Sequence, residues 1–329
     1  MKKIRQYCGV FAAAFMAAWM LGACGKDQIV LTTGFADDEI FRVGGRNCSR
    51  AEVMVYLVTL HNQYEGAFGE GIWGVETEGV PLAESVKQTV LARLARIKMM
   101  NLMAEHYGVA LEKEEESRIQ KAADEYYGSL EKEEIAAMDG VKKGTIESMY
   151  EEYALAEKVY AYLIADVNPE ISDDEARTLL LHQIVLPDMV QAQEVKGELE
   201  AGEEFDALAF HYNKDQELSV SFAKGVMPQE IEDVCFALGE GEYSDILATE
   251  NGYVIYYCVS TYDREQTEAH KQEILQQRQK EAFQSIYDTF AAEQEVYLND
   301  ELWAQITVPE ETSGDTVDFF DVYEKYAAE

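Results

Sequence analysis

Between Gly225 and Tyr257 the apolar positions of this chain change period, from the three- and four-residue spacing of a helix to the run of a strand. Ile231, Val234, Cys235 and Leu238 predict a short amphipathic helix stopped by Gly239 at the position after its last turn. Past Gly241 and the Asn251-Gly252 turn, Tyr253 to Val259 is β-branched and aromatic, as a strand packed against a helix requires. Upstream, Leu179 to Pro187 (LLLHQIVLP) predicts a first strand, and Ala192, Val195 and Leu199 the helix after it. His182 and Gln183 are neighbours on that strand and therefore face opposite sides of it.

The rest of the chain reads mostly helical. Ile40 to Arg46 predicts a strand and turn; Ser49 and Glu52 form a capping box before a helix with Val53, Tyr56, Leu57, Leu60 and Tyr64 inward. A loop with Trp73 follows, then a long helix carrying Val86, Val90, Leu94, Ile97 and Ala104 on one face and ending at Gly108. Two charged helices break near Gly128 and Gly140, and another starts at Thr145 with Met149, Tyr153, Ala156, Tyr160 and Leu163. Asn168-Pro169 ends it, and the box Ser172 to Glu175 predicts a further helix start. A last long helix is expected from about Thr267 to Glu293, then a linker through Pro309 to Asp315, then a short docking helix with Phe319, Phe320 and Tyr323.

Charge and termini add localisation. Lys2, Lys3 and Arg5 precede an apolar run, Val10 to Leu21, too short to span a bilayer, and Leu21-Gly22-Ala23-Cys24 has the form of a lipobox. Cys24 is thus the expected lipidation site, with two acyl chains giving a stable anchor in the bacterial membrane and residues 1–23 a signal peptide. A formal charge of −36 argues against nucleic acid as a partner. Once Cys8 leaves with the signal and Cys24 is lipidated, Cys48, Cys235 and Cys258 remain, an odd number that argues against a disulfide framework. The five histidines show no metal-ligand spacing and no phosphate loop appears, so no metal or cofactor is expected.

Met227, Ile231, Glu232, Phe236, Ala237, Leu238, Gly241, Glu242, Ser244, Thr249, Gly252, Tyr253 and Ile255 follow an order that resembles the C-terminal half of the parvulin (PpiC-type) peptidyl-prolyl isomerases. Val43 to Gly45, the helix of Leu91 to Tyr107 and the Ser172 to Arg177 box resemble the helical N-terminal module of exported chaperones of the PrsA and SurA type. The resemblance implies an α+β chain. Its mostly helical chaperone domain spans residues 24–170, and a small parvulin-like β-α-β domain with a mixed or antiparallel sheet spans 171–263. A C-terminal helix over 264–306 packs on the helical module, and 307–329 is an acidic tail.

The same resemblance implies a site. The family carries a histidine on its first strand and another on its last, beside a Cys or Asp and a Thr. Here Gln183 and Val254 stand at the two histidine positions, Asp215 and Thr249 at the other two, so Asp215, Thr249 and Gln183 are the candidate catalytic residues. Phe222, Met227 and Ile231 match its apolar substrate pocket, although apolar residues at helical spacing serve equally as core. The implied partners are unfolded or proline-containing exported polypeptides outside the cytoplasm. Two activities remain open: a foldase with an isomerase domain of weak catalysis, or a non-catalytic holdase with a degenerate one.

Overall fold

Ser49 and Glu52 cap each other's backbone at the start of the first long helix: the Glu52 amide donates to Ser49 Oγ, and the Ser49 amide to Glu52 Oε2 at 2.7 Å. From there the computed structural model describes residues 34–77, 79–213, 216–250, 252–309 and 317–328. They form two compact units, one made from the described residues up to Ala165 and from Phe283 onward, the other from Asp166–Ala282. Cys24 and the signal segment lie outside the described residues, and among the described residues no helix is long and apolar enough to cross a membrane.

In the first unit, β1 (Glu39–Val43) and β2 (Arg46–Ser49) form a hairpin, and β9 (Val296–Leu298) pairs antiparallel with the free edge of β1. Helix α1 (Arg50–Phe68) buries every residue from Val53 to Val58, so it runs through the core rather than along its surface. After the small ribbon β3 (Glu76–Thr77) and β4 (Val80–Pro81), α2 (Leu82–Tyr107) packs the predicted Val86, Val90, Leu94 and Ile97 inward. It ends at Gly108, whose φ of 70° is the left-handed conformation that a Cβ would oppose. Then come α3 (Lys113–Ser129), α4 (Lys132–Ala137) and α5 (Lys143–Ile164).

Lys98 of α2 is buried between Glu52 of α1, at 2.5 Å, and Glu152 of α5, at 2.7 Å. Burial opposes the Lys98 ammonium, but the two carboxylates outweigh it and hold its pKa above the ordinary value. Removing Lys98 alone would strand two part-buried carboxylates, so this triad ties the three helices to one arrangement.

The second unit is built on an antiparallel sheet in the order β6-β5-β8-β7: β6 (Ser219–Ala223), β5 (Thr178–Leu186), β8 (Gly252–Ser260) and β7 (Leu247–Thr249). Even-numbered Ile184 and Leu186 of β5 pack with α6 (Met189–Glu200) and α7 (Phe205–Tyr212) on one face. Odd-numbered Leu179, Leu181 and Val185 pack with α8 (Gln229–Ala237) on the other. The period of two thus sorts one strand into two cores.

Three expectations change. The Ser172 box makes a single turn, with the Glu175 amide donating to Ser172 Oγ at 3.1 Å, because Ala176 is already buried and Thr178 must open β5. Helix α8 ends at Ala237 with Leu238 extended, so Gly239 is not a left-handed stop. The units divide at Ala165 and Ala282 rather than near residues 170 and 263. The first turns of α9 (Arg264–Ala291) are stitched to the start of β5, where the Thr178 amide donates to Thr267 Oγ1 and His270 Nδ1 sits 3.0 Å from the Ala176 carbonyl. The far end of α9 belongs to the first unit, where Phe283 packs on Tyr160 and beneath Arg96. After α10 (Asp300–Trp303), α11 (Phe319–Ala327) closes that unit with Phe319 and Val322 fully buried.

Candidate functional site

The sheet register decides which candidates share a face. Gln183 lies opposite Tyr256, and Val185 opposite Val254, so Gln183 and Val254 are diagonal neighbours on the α8 face. Phe222 of β6 and Ile231 of α8 complete that face, with Met227 half-buried beside them. Exposure is 2% at Val254, 4% at Phe222 and 8% at Ile231, so all three are packed rather than displayed. Phe222 lies 5.8 Å from Tyr256 and 6.0 Å from Phe236, ring centre to ring centre. Burial pushes the Tyr256 hydroxyl up to about 12, and burial with Cys258 nearby pushes the Cys235 thiol up to about 12 as well. This face is dry.

Gln183 spends its polarity locally. Its Nε2 donates to the Glu217 carbonyl at 2.9 Å, and its backbone amide donates to the Leu218 carbonyl at 2.9 Å. β6 pairs with β5 only as far as His182, and beyond it Asn213 takes over: its Nδ2 donates to the Gln183 carbonyl at 2.6 Å and its Oδ1 accepts from the Val185 amide at 2.9 Å. The sequence analysis did not single out Asn213. Its one signal was an Asn at the end of a helix, a residue type whose side chain readily imitates a backbone pair.

Thr249 ends β7, and its hydroxyl donates to the Gly252 carbonyl at 3.2 Å. Gly252 has a φ of 127° and a Cβ there would meet the Leu186 carbonyl oxygen at 2.4 Å, so the turn that Thr249 closes admits only glycine. Asp215 lies outside the described residues. Glu232, part of the sequence motif, is buried and accepts from the Gly225 amide at 2.6 Å, holding the turn between β6 and α8. An open cleft of about 560 Å³ lies elsewhere on this unit, lined by Asp174, Lys224, Val226, Glu232, His270 and Ile274, with Lys224 paired to Asp174 at 2.9 Å.

His182 stands on the opposite face. Its Nδ1 is 2.6 Å from Asp206 Oδ1 at the start of α7, beside the stacked pair Phe205 and Tyr257. The imidazole and the apolar candidates are therefore separated by the thickness of the sheet.

A family model described as the PPIC-type PPIASE domain matches residues 166–268, which span the whole of this sheet and its helices. Residues 166–268 thus carry a PPIC-type domain, and the chain as a whole is similar to PrsA foldases. Foldase protein PrsA of Caldanaerobacter subterraneus subsp. tengcongensis is 23% identical over 271 residues, 77% of this chain and 82% of that one. Foldase protein PrsA of Clostridium perfringens strain 13 is 21% identical over 332 residues, 89% of this chain and 95% of its own. The crystal structure of the PrsA peptidylprolyl isomerase from Bacillus cereus aligns with 75% of this chain and 97% of its own at 19% identity and a TM-score of 0.34. The PPIC-type domain is of the isomerase kind by family.

Proposed function

We propose that this chain is an extracytoplasmic folding factor, lipid-anchored through Cys24, that holds unfolded exported polypeptides and whose PPIC-type domain binds proline-containing segments with weak isomerisation at most. Residues 1–23 are its signal peptide, and the helical module is the holding part. Rotation about a peptide bond faces a barrier of about 18–20 kcal/mol, lower for X-Pro but still slow enough to limit folding. An isomerase lowers it by gripping the proline ring while polar groups stabilise the twisted imide.

The observation that carries the reading is Val254: at the position of a family histidine it is an aliphatic residue, 2% exposed, with no proton to give or take. Phe222 and Ile231 support the weak-isomerisation part of the reading, because both are spent on packing and leave little apolar surface to grip a twisting proline ring. An active isomerase would have to work with the Gln183 amide, the Thr249 hydroxyl and Asp215 alone.

The test pairs two assays on the same preparation: suppression of aggregation of an unfolded protein, and acceleration of a proline-limited refolding phase. Suppression without acceleration is the expected outcome. Acceleration at catalytic amounts of the chain would restore the active-foldase reading, and failure in both assays would remove the folding role.

A further inference from the structure

The last helix of the chain sits in its unit the way a ligand sits in a groove. Phe319 stacks on Tyr150 with ring centres 4.3 Å apart and meets Tyr126 edge-on at 5.2 Å. Phe320 lies 5.3 Å from Tyr56 and beneath the Arg93 guanidinium at 4.0 Å, while Tyr323 meets Tyr153 edge-on at 4.7 Å. Four tyrosines and an arginine from α1, α2, α3 and α5 thus line one trough, and two adjacent aromatics and a third one turn later fill it. Tyrosine and arginine walls, apolar on their faces and polar at their tips, accept varied partners at low entropic cost.

Three further observations separate this arrangement from an ordinary core helix. First, the buried Tyr150 hydroxyl donates to the backbone carbonyl of Phe319 at 2.7 Å, a contact any polypeptide can offer. Second, besides the buried Val322, polar tethers hold the helix at the rim: Gln63 Nε2 to Asp318 at 2.6 Å, the Tyr323 hydroxyl to Glu157 at 2.6 Å, and Lys325 with the Tyr326 hydroxyl on Glu125. Third, a cavity of about 280 Å³ opens beside α11, bounded by Arg118, Ile119, Lys158 and Tyr326, so the helix is not closely packed along its whole length. A helix of nine residues is too short to persist alone in water, so α11 folds as it docks, and does so after a stretch whose sequence reads as a linker.

We propose that α11 is a displaceable occupant of a polypeptide groove on the helical unit, and that an unfolded segment bearing adjacent aromatic residues followed by a cation, the pattern of Phe319, Phe320 and Lys325, replaces it. This rests on the holding function proposed above. The chain's own C-terminus then covers the groove when no unfolded chain is present and keeps its aromatic walls from water.

The experiment compares three forms of the full chain: the natural one, Asp318→Ala, and a tethered form in which Glu125→Cys and Lys325→Cys are joined by a reducible cross-linker. Asp318 accepts from the Phe320 and Asp321 amides and bonds Gln63, so its loss loosens α11 without touching the tyrosine walls. The probes are reduced, carboxymethylated α-lactalbumin and a labelled peptide of residues 317–328, each titrated by fluorescence anisotropy. Asp318→Ala is expected to bind both roughly fivefold tighter than the natural chain, by the usual worth of a helix cap. The tethered form is expected to bind both more weakly, and to recover on reduction. Equal binding of the lactalbumin by all three forms would overturn the inference and leave the holding function standing; binding by none would remove both. Hydrogen exchange guards against a folding artefact: accelerated exchange in α11 alone agrees with displacement, while acceleration through α3 and α5 as well would make α11 a core element and overturn the inference.

Discussion

The two faces of the four-stranded sheet differ by one step along β5. On the side of α6 and α7, His182 holds Asp206 at 2.6 Å beside Phe205 and Tyr257. On the side of α8, Gln183 is fastened to the Glu217 carbonyl, and Val254, Phe222 and Ile231 are closed over by Tyr256 and Cys235. An imidazole and a carboxylate in contact look like acid–base machinery, yet they lie on the face that has no apolar pocket matching the family's. The apolar set lies where the resemblance implies a prolyl pocket, and has no imidazole. Neighbouring residues of a strand are thus the worst candidates for a shared site.

If both faces are true cores, truncation on either should be costly. Ile255→Ala, on the α6 and α7 side, is expected to lower stability by about 3 kcal/mol, and Val254→Ala by about 2 kcal/mol, in urea unfolding followed by circular dichroism. A cost well under 1 kcal/mol at Val254 would mean that it lines an open groove. His182→Ala should cost about 1 kcal/mol and leave binding of unfolded protein unchanged, because its contact with Asp206 is local and partly exposed. Loss of binding or of any isomerase activity in that variant would move the site across the sheet. The smallest effect is a null one: Cys235 and Cys258 should stay unalkylated by iodoacetamide in the native chain at pH 8, read by mass spectrometry. With its pKa pushed up to about 12 by burial, the Cys235 thiol is roughly one ten-thousandth thiolate at that pH and is also shielded. Rapid native labelling would show that the α8 face opens.

Much of this contrast is legible in the sequence. The alternation of β5 and the aromatic, β-branched run of β8 are local patterns, so the opposed directions of His182 and Gln183 followed from sequence, as did α2 from its repeating Val86, Val90 and Leu94 and its Gly108 end. What sequence did not reveal is set by partners distant along the chain. Asp206 meets His182 across 24 residues, Asn213 fills the gap left by a short β6, and Lys98 is caught between carboxylates on two other helices. Capping boxes misled once: Ser172 has the right residues for a helix, but the demand of β5 for Thr178 leaves room for one turn. The linker and docking helix at the C-terminus were expected as separate pieces, whereas the tyrosine trough that receives α11 draws on four helices and has no signature in any one of them.

The most direct test of the α8 face is the isomerisation rate of a short X-Pro peptide, followed by exchange NMR with the chain present at a small fraction of the peptide concentration. The expected result is a rate indistinguishable from the uncatalysed one, since Val254 offers no proton and Phe222 and Ile231 are already packed. Turnover of many peptides per chain, abolished by Gln183→Ala or Thr249→Ala, would contradict it.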